Sequence, residues 1–159
     1  MKRSLKVAFA ALAMTAVALA ADNTIGTWKA NIEKSKPAAP PAGVSPITSL
    51  TIVREAADGG AKITVKGERA DGSKIDNSNT VKYDGKEVPV TATGAAWDTT
   101  SFKQVNANTL TEVRTKKGGS YHATVRHVVS KDGKTMTATA KGIGADGKPL
   151  MGVNVFDKQ

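Results

Sequence analysis

Apolar and polar residues alternate with a period of two along most of the chain after residue 21. The segment 121–129 shows the pattern well, because its odd-numbered residues are Tyr121, Ala123, Val125, His127 and Val129. Alternation with this period is typical of β-strands that bury one face and leave the other in water. No segment of about 10–15 residues carries an apolar stripe with a period of 3.6, so crossover helices between parallel strands are not expected.

Turn signals separate the alternating segments at regular intervals. The strongest are five Asp-Gly dipeptides, at residues 58–59, 71–72, 84–85, 132–133 and 146–147. We expect type I′ hairpin turns there, in which both central residues have positive φ. The segments between turns predict about ten strands, at residues 24–30, 47–54, 61–69, 74–83, 86–91, 96–105, 109–116, 120–129, 135–141 and 150–156. Successive hairpins predict an all-β fold, an antiparallel up-and-down meander closed into a barrel of about ten (8–10) strands.

Residues 33–46 interrupt this pattern, because they contain Pro37, Pro40, Pro41 and Pro46. Proline at this density prevents a regular helix and favours an extended loop. We interpret this Pro-rich loop as a linker across one end of the barrel. The alternative is a lid over the mouth of a cavity.

The first 21 residues have the composition of a cleavable signal peptide. Lys2, Arg3 and Lys6 give a positive start, and residues 7–20 form an almost unbroken apolar run. The run ends in Ala18-Leu19-Ala20, a small-x-small pattern that signal peptidase cleaves. It is shorter than the roughly 20 apolar residues of a membrane-spanning helix, although an uncleaved N-terminal anchor is an alternative. We expect residues 22–159 to form a single domain in a periplasmic or secreted bacterial protein.

The composition excludes several classes of protein. The chain has no cysteine, so neither a lipid-modified N-terminus nor a disulfide framework is expected. Outside the leader, 20 Lys and Arg face 14 Asp and Glu, a net charge of +6. These charges alternate with Thr and Val rather than cluster, so nucleic acid is not an expected partner. A membrane-embedded barrel is not expected either, because cations recur in mid-strand and no aromatic girdles are visible.

The two ends of the mature chain resemble a known superfamily. Gly26-Thr27-Trp28-Lys29 resembles the first strand of the lipocalins and fatty-acid-binding proteins (the calycins), and residues 153–158 are similar to the last strand of fatty-acid-binding proteins. The opening also resembles that of small exported bacterial lipocalin-like proteins of unknown activity. The resemblance implies a calycin-like barrel whose closed end is plugged by Trp28. We assign Gly26 and Lys158 to the same structural plug, with a cation stacked on the indole.

Two departures limit what the resemblance implies. Fatty-acid-binding proteins have a helix-turn-helix portal after the first strand, where this chain has its Pro-rich loop. Their last strand carries an Arg and a Tyr that bind the ligand carboxylate, whereas the matching positions here are Asn154 and Phe156. The resemblance therefore implies the fold and does not imply fatty-acid binding by that mechanism.

Polar residues that share a strand face with apolar ones are the candidates for binding a ligand inside the barrel. They are Arg69, Arg114, Tyr121 and His127. Arg69 continues the face of Ile63 and Val65, and Arg114 is in phase with Leu110 and Glu112. The alternatives are a charge at the rim, an ion paired with a neighbour, and a core histidine satisfied by a hydrogen bond.

No catalytic, metal-binding or cofactor-binding residues are predicted. The chain has no Cys nucleophile and no Gly-x-Ser-x-Gly motif. His122 and His127 are five residues apart, so a regular strand points them to opposite faces. We therefore expect an exported, non-enzymatic protein that holds a small apolar or amphipathic ligand in a barrel cavity. The alternative is a filled β-barrel that binds a protein or a cell-envelope partner.

Overall fold

A computed structural model describes residues 21–159, and all regular structure within this range is β. The predicted signal peptide, apart from Ala21, lies outside the described residues. The eleven strands are β1 Gly26–Lys36, β2 Ile47–Ala57, β3 Gly60–Arg69, β4 Lys74–Lys82, β5 Val88–Pro89, β6 Thr91–Thr93, β7 Thr99–Asn106, β8 Thr109–Thr115, β9 His122–Val129, β10 Thr135–Ile143 and β11 Pro149–Lys158.

All eleven strands belong to one antiparallel sheet, in the order β5-β7-β8-β9-β10-β11-β1-β2-β3-β4-β6. Most hydrogen-bonded neighbours are consecutive in the chain, as in an up-and-down meander. The first and last long strands also pair, with Trp28 opposite Lys158 and Ala30 opposite Phe156. The prediction of an all-β, antiparallel meander barrel is confirmed, with eleven strands in place of about ten and a nearly closed barrel.

The extra strand arises where the chain crosses between the two edges of the sheet. The predicted strand at 86–91 is two short strands, β5 and β6, separated by Val90. Val88 pairs with Thr100 of β7, whereas Thr91 pairs with Ser78 of β4. This bridging segment, residues 88–93, therefore spans the gap between β4 and β7 and nearly closes the barrel.

The Asp-Gly turns are not of the predicted type. All five glycines have positive φ, between 67° and 80°, but no other residue type in the described range does. A type I′ turn requires positive φ at both central residues, so that prediction is wrong. In four of the five turns the Asp carboxylate instead accepts the N–H two residues ahead, as Asp132 does from Lys134 at 3.1 Å. This Asx contact keeps the aspartate at negative φ and leaves only glycine in the left-handed region.

The loop between β1 and β2 is shorter than predicted. β1 continues to Lys36, so the Pro-rich loop spans residues 37–46 rather than 33–46. Its start packs so closely on β11 that a Cβ at Gly152 would collide with the backbone of Ala38. Its last residue, Pro46, accepts a hydrogen bond from the N–H of Ala70 at 2.9 Å. The loop thus runs from a contact with β11 to a contact with the turn between β3 and β4.

The core lies inside the barrel, on the faces that the alternation predicts. In β9 every odd-numbered residue is buried and every even-numbered residue is exposed. The buried apolar cluster is Trp28, Ile52, Ala61, Ile63, Val81, Phe102, Leu110, Val125, Val129, Met136, Ala138 and Phe156. The buried polar residues include Arg54, Asn77, Thr100, Glu112 and His127, so part of the interior is polar.

Candidate functional site

The structure brings Gly26, Trp28 and Lys158 together at one end of the barrel. The Trp28 side chain is fully buried, and its Nε1–H donates to the Thr24 carbonyl oxygen at 2.8 Å. Lys158 Nζ lies 5.0 Å from the centroid of the Trp28 ring, within the range of a cation–π contact. Gly26 makes room for the lysine, because a Cβ there would lie 2.9 Å from Lys158 Cε. The mutual contacts of these three residues make this a packed end of the barrel.

Residues 21–25 cover the same end. The Asp22 carboxylate accepts hydrogen bonds from the N–H and hydroxyl of Thr24 and from the Tyr83 hydroxyl, the last at 2.6 Å. The Asn23 N–H donates to the Ala107 carbonyl at 2.8 Å. Burial and the hydrogen bond to Asp22 raise the pKa of Tyr83, so its phenol stays protonated as the donor. These contacts hold the chain against the barrel just before β1.

A chain of polar side chains runs through the interior, from β2 to β9 and β8. Arg54 Nη2 lies 3.3 Å from His127 Nδ1, and His127 Nε2 lies 2.9 Å from Glu112 Oε2. A guanidinium can only donate, so Nδ1 is the acceptor and the histidine proton is on Nε2. His127 is therefore a neutral imidazole that accepts from Arg54 and donates to Glu112.

Glu112 also forms an ion pair with Arg114. Arg114 Nε and Nη2 donate to its two carboxylate oxygens, each at 2.8 Å, in a bidentate ion pair. The Thr100 hydroxyl donates to Oε1 at 3.0 Å. With the bond from His127, the carboxylate accepts four hydrogen bonds, and its charge is balanced by Arg114. The positive charge of Arg54 is not balanced by a direct ion pair within residues 21–159.

The pKa values in this network follow from burial and from these contacts. Burial and, to a smaller extent, the Arg54 cation lower the pKa of His127 against the opposing effect of Glu112, to about 4. For Glu112, burial alone would raise the pKa, but the Arg114 cation and the hydrogen bond from His127 outweigh it. The pKa of Glu112 therefore lies well below its ordinary value. At neutral pH the network contains a carboxylate, a neutral imidazole and two guanidinium groups.

These shifts predict that the protein loses stability in acid. The unfolded chain protonates His127 near its ordinary pKa of 6.5, but the folded protein does so only near 4, so the free energy of unfolding falls as pH decreases between these values. The expected loss is on the order of 3 kcal/mol. Glu112, whose folded pKa is lowered, adds a further loss below about 4.5.

Urea denaturation at pH 7, 6, 5 and 4 measures this dependence. We expect the slope between pH 6.5 and 4 to flatten in His127→Gln. The matched control His122→Gln, an exposed position on the same strand, should keep the slope of the parent. An equal flattening in both variants would contradict the assignment.

A small cavity with a volume of about 30 Å³ lies beside the network. This is room for two or three water molecules or for a ligand group of a few heavy atoms. Its lining residues are Ile52, Arg54, Ile63, Val65, Asn77, Asn79, Val90, Trp97, Thr100, Phe102, Glu112, Arg114 and His127. Val90 comes from the bridging segment, so the cavity borders the gap between β4 and β7.

Four buried polar atoms of the lining have no hydrogen-bond partner among the described residues: Arg54 Nε, Arg54 Nη1, Asn77 Oδ1 and Asn79 Nδ2. Arg54 is 2% exposed, and its guanidinium carbon lies 5.5 Å from the centroid of the Phe102 ring. Buried polar groups in proteins are nearly always hydrogen-bonded, so unpaired ones on residues that line a cavity make this cavity the candidate site.

An aromatic stack lies next to the cavity. The guanidinium carbon of Arg114 lies 4.3 Å from the centroid of the Trp97 ring. On the same indole stacks Tyr121, with ring centroids 5.8 Å apart and planes inclined by 24°. Because Arg114 also binds Glu112, the stack fixes one end of the internal network.

The four ligand-binding candidates have different positions. Arg114 and His127 line the cavity, whereas Tyr121 is not a lining residue and stacks on Trp97, which is. Arg69 lies away from it, because its guanidinium donates to the Ser45 carbonyl at 2.9 Å and the Gly94 carbonyl at 3.0 Å. Arg69 thus joins the Pro-rich loop to the region after β6 and is not part of the cavity.

Sequence reasoning missed Arg54, Asn77 and Asn79, and it treated Glu112 only as a neighbour of Arg114. A signal for Arg54 is present, since it is in phase with Leu50 and Ile52 on the inner face of β2. The two asparagines are likewise in phase with the buried Ile75 on β4. All of these residues share a strand face with apolar residues, which is the property that selected the other candidates.

Within residues 21–159 no group of three His, Asp or Glu side chains is placed to hold a metal ion. The same residues contain no helix long and apolar enough to cross a membrane. No family model matches the chain, and no curated protein matches its sequence.

Proposed function

We propose that this protein is an exported, non-enzymatic binding protein with a calycin-like barrel, which holds a small ligand in its interior. The observation that carries the proposal is the set of unpaired polar atoms on Arg54, Asn77 and Asn79, three residues that line the cavity. Leaving each such atom unpaired costs about 1–3 kcal/mol, and a bound molecule offsets that cost. The apolar leader before residue 21 supports export to the periplasm or the medium.

The size and polarity of the cavity change the expected kind of ligand. About 30 Å³ accommodates a small molecule or one polar end of a larger one, and it does not accommodate a whole fatty acid. Apolar walls from Ile52, Ile63 and Phe102 surround the polar groups. We therefore favour a small polar or amphipathic ligand whose polar group faces Arg54.

A second candidate function is a filled barrel that binds a protein or an envelope component through its surface. The filling of the remaining core favours it, since Leu110, Met136 and Phe156 are almost fully buried. In that case the unpaired atoms would be satisfied by trapped water.

Native mass spectrometry of the protein purified from its own host distinguishes the ligand-binding barrel from the filled barrel. A retained small molecule that is lost on unfolding is the result expected for the binding function. A mass equal to that of the polypeptide alone, reproduced after gentle purification, would favour the filled barrel. Purification from a heterologous host is the matched control, because a molecule found only with the original host is specific.

A further inference from the structure

From the charges and donors around the cavity, we infer that its ligand is a small oxyanion, a carboxylate in the simplest case, bound by Arg54 and Asn79. This inference rests on the proposed function and names the class of ligand. The binding groups lie on β2 and β4, and not at the Asn154 and Phe156 positions of β11. The site is therefore assigned from this interior alone.

Within residues 21–159, Arg54 is the charged group of this network that has no charged partner. Glu112 is neutralised by its bidentate pair with Arg114, and His127 is held neutral between Arg54 and Glu112. Asp22 accepts its hydrogen bonds from Thr24 and Tyr83 and makes none to Arg54. One positive charge, that of Arg54, is therefore buried without a direct anionic partner among the described residues. A buried charge is favourable only when it is paired, so an anion is the ligand that this interior favours.

The unpaired atoms point to the same class. Arg54 Nε and Nη1 carry three N–H donors without partners, and Asn79 Nδ2 carries two more. Asn77 Oδ1 is the single unpaired acceptor beside them. A group rich in acceptor atoms satisfies such a surface, and a carboxylate offers two oxygens with about four acceptor sites. A neutral amide offers one acceptor and adds donors where donors are already in excess.

The volume sets the size of the anion. About 30 Å³ next to Arg54 admits a group of a few heavy atoms, such as acetate. Acetate itself, with four heavy atoms, has little surface to bury, so we expect a dissociation constant in about the millimolar range for this probe. A ligand that stays bound through purification from the host would be a larger molecule that binds by its carboxylate end and buries more surface outside the cavity. Larger anionic molecules could enter only with their carboxylate first.

Titration of the signal-free protein with sodium acetate, and with acetamide as its neutral analogue of equal size, tests the inference. The ionic strength is held constant, and the arginine Nε–H resonances are followed by NMR. Acetate should shift the Arg54 resonance in a saturable way and leave that of Arg126, an exposed residue on the outer face of β9, unchanged. Acetamide should produce at least tenfold weaker binding. Equal binding of the two compounds, or an equal shift of both arginine resonances, would overturn the inference.

Two variants complete the test by isothermal calorimetry. Arg54→Gln should weaken acetate binding by at least tenfold, and Arg126→Gln should leave it unchanged. If the Arg54→Gln protein does not fold, the titration of the wild-type protein with acetate and acetamide still tests the inference. A neutral molecule retained from the host, with no response to acetate, would overturn the inference alone. No retained molecule and no response to acetate would overturn the proposed function as well.

Discussion

Replacing Trp28 with alanine is expected to lower the free energy of unfolding by about 3–5 kcal/mol, the usual cost of truncating a buried aromatic residue. The side chain is fully buried, its indole N–H binds the Thr24 carbonyl and Lys158 lies over its ring. The truncation removes all three interactions and leaves a cavity at the covered end of the barrel. Urea denaturation followed by circular dichroism measures the change.

Trp97→Ala is the matched control for this experiment. Trp97 is partly exposed, and it stacks on Arg114 and Tyr121 without belonging to the buried apolar cluster. We expect its loss to cost at most half as much as the loss of Trp28. If Trp28→Ala denatured at the same urea concentration as the parent, the role of Trp28 as a structural plug would be wrong.

Replacing Glu112 with glutamine is expected to cost about 3–5 kcal/mol, the effect of removing one partner from a buried ion pair. The carboxylate balances Arg114 and accepts hydrogen bonds from His127 and Thr100. Glutamine keeps the shape but leaves Arg54 and Arg114 as two positive charges in one interior. The same denaturation experiment reports the loss.

Two further variants separate this electrostatic effect from a general effect of removing a carboxylate. Glu55→Gln removes an exposed carboxylate whose partner Lys62 is 3.9 Å away, and should change stability by less than about 0.5 kcal/mol. The double variant Glu112→Gln with Arg114→Gln should recover part of the loss, because it removes the surplus cation as well. A Glu112→Gln protein as stable as the parent would contradict this expectation and would show that water in the interior screens the charges of Arg54 and Arg114.

Much of the fold could be predicted because it is encoded locally. Each strand alternates by itself, and Asp-Gly dipeptides mark turns wherever they occur. The bridging segment could not be predicted in this way, since residues 88–93 pair with two sheet edges that meet only after the barrel has formed. The turn type was missed for a different reason, because the Asp side chain stabilises its own backbone at negative φ.

The site could be predicted only in part. The alternation of apolar and polar residues along a strand predicts that His127 and Arg114 lie on the inner face, and both line the cavity. The same reasoning selected Arg69, which lies near the end of β3 with its guanidinium bound to backbone carbonyls, because phase does not show where the interior of a barrel ends. Arg54 was missed because an arginine at the end of a predicted strand is usually exposed, whereas β2 continues to Ala57.

The interior network has a cost that a purely structural barrel would avoid. Apolar residues of similar volume would often fill such a core with equal or greater stability than a set of buried ions. The chain instead keeps Arg54, Glu112, Arg114 and His127 together and leaves one face of Arg54 unpaired. That arrangement is the reason for interpreting the cavity as a binding site rather than as a packing defect.

A high-resolution crystal structure of the protein purified from its own host is the most direct test of the central claim, that the barrel interior binds a ligand at Arg54. We predict electron density for a molecule other than water within hydrogen-bond distance of Arg54 Nε or Nη1. The claim would be contradicted if ordered water or side chains alone satisfied these atoms, in crystals grown without competing anions.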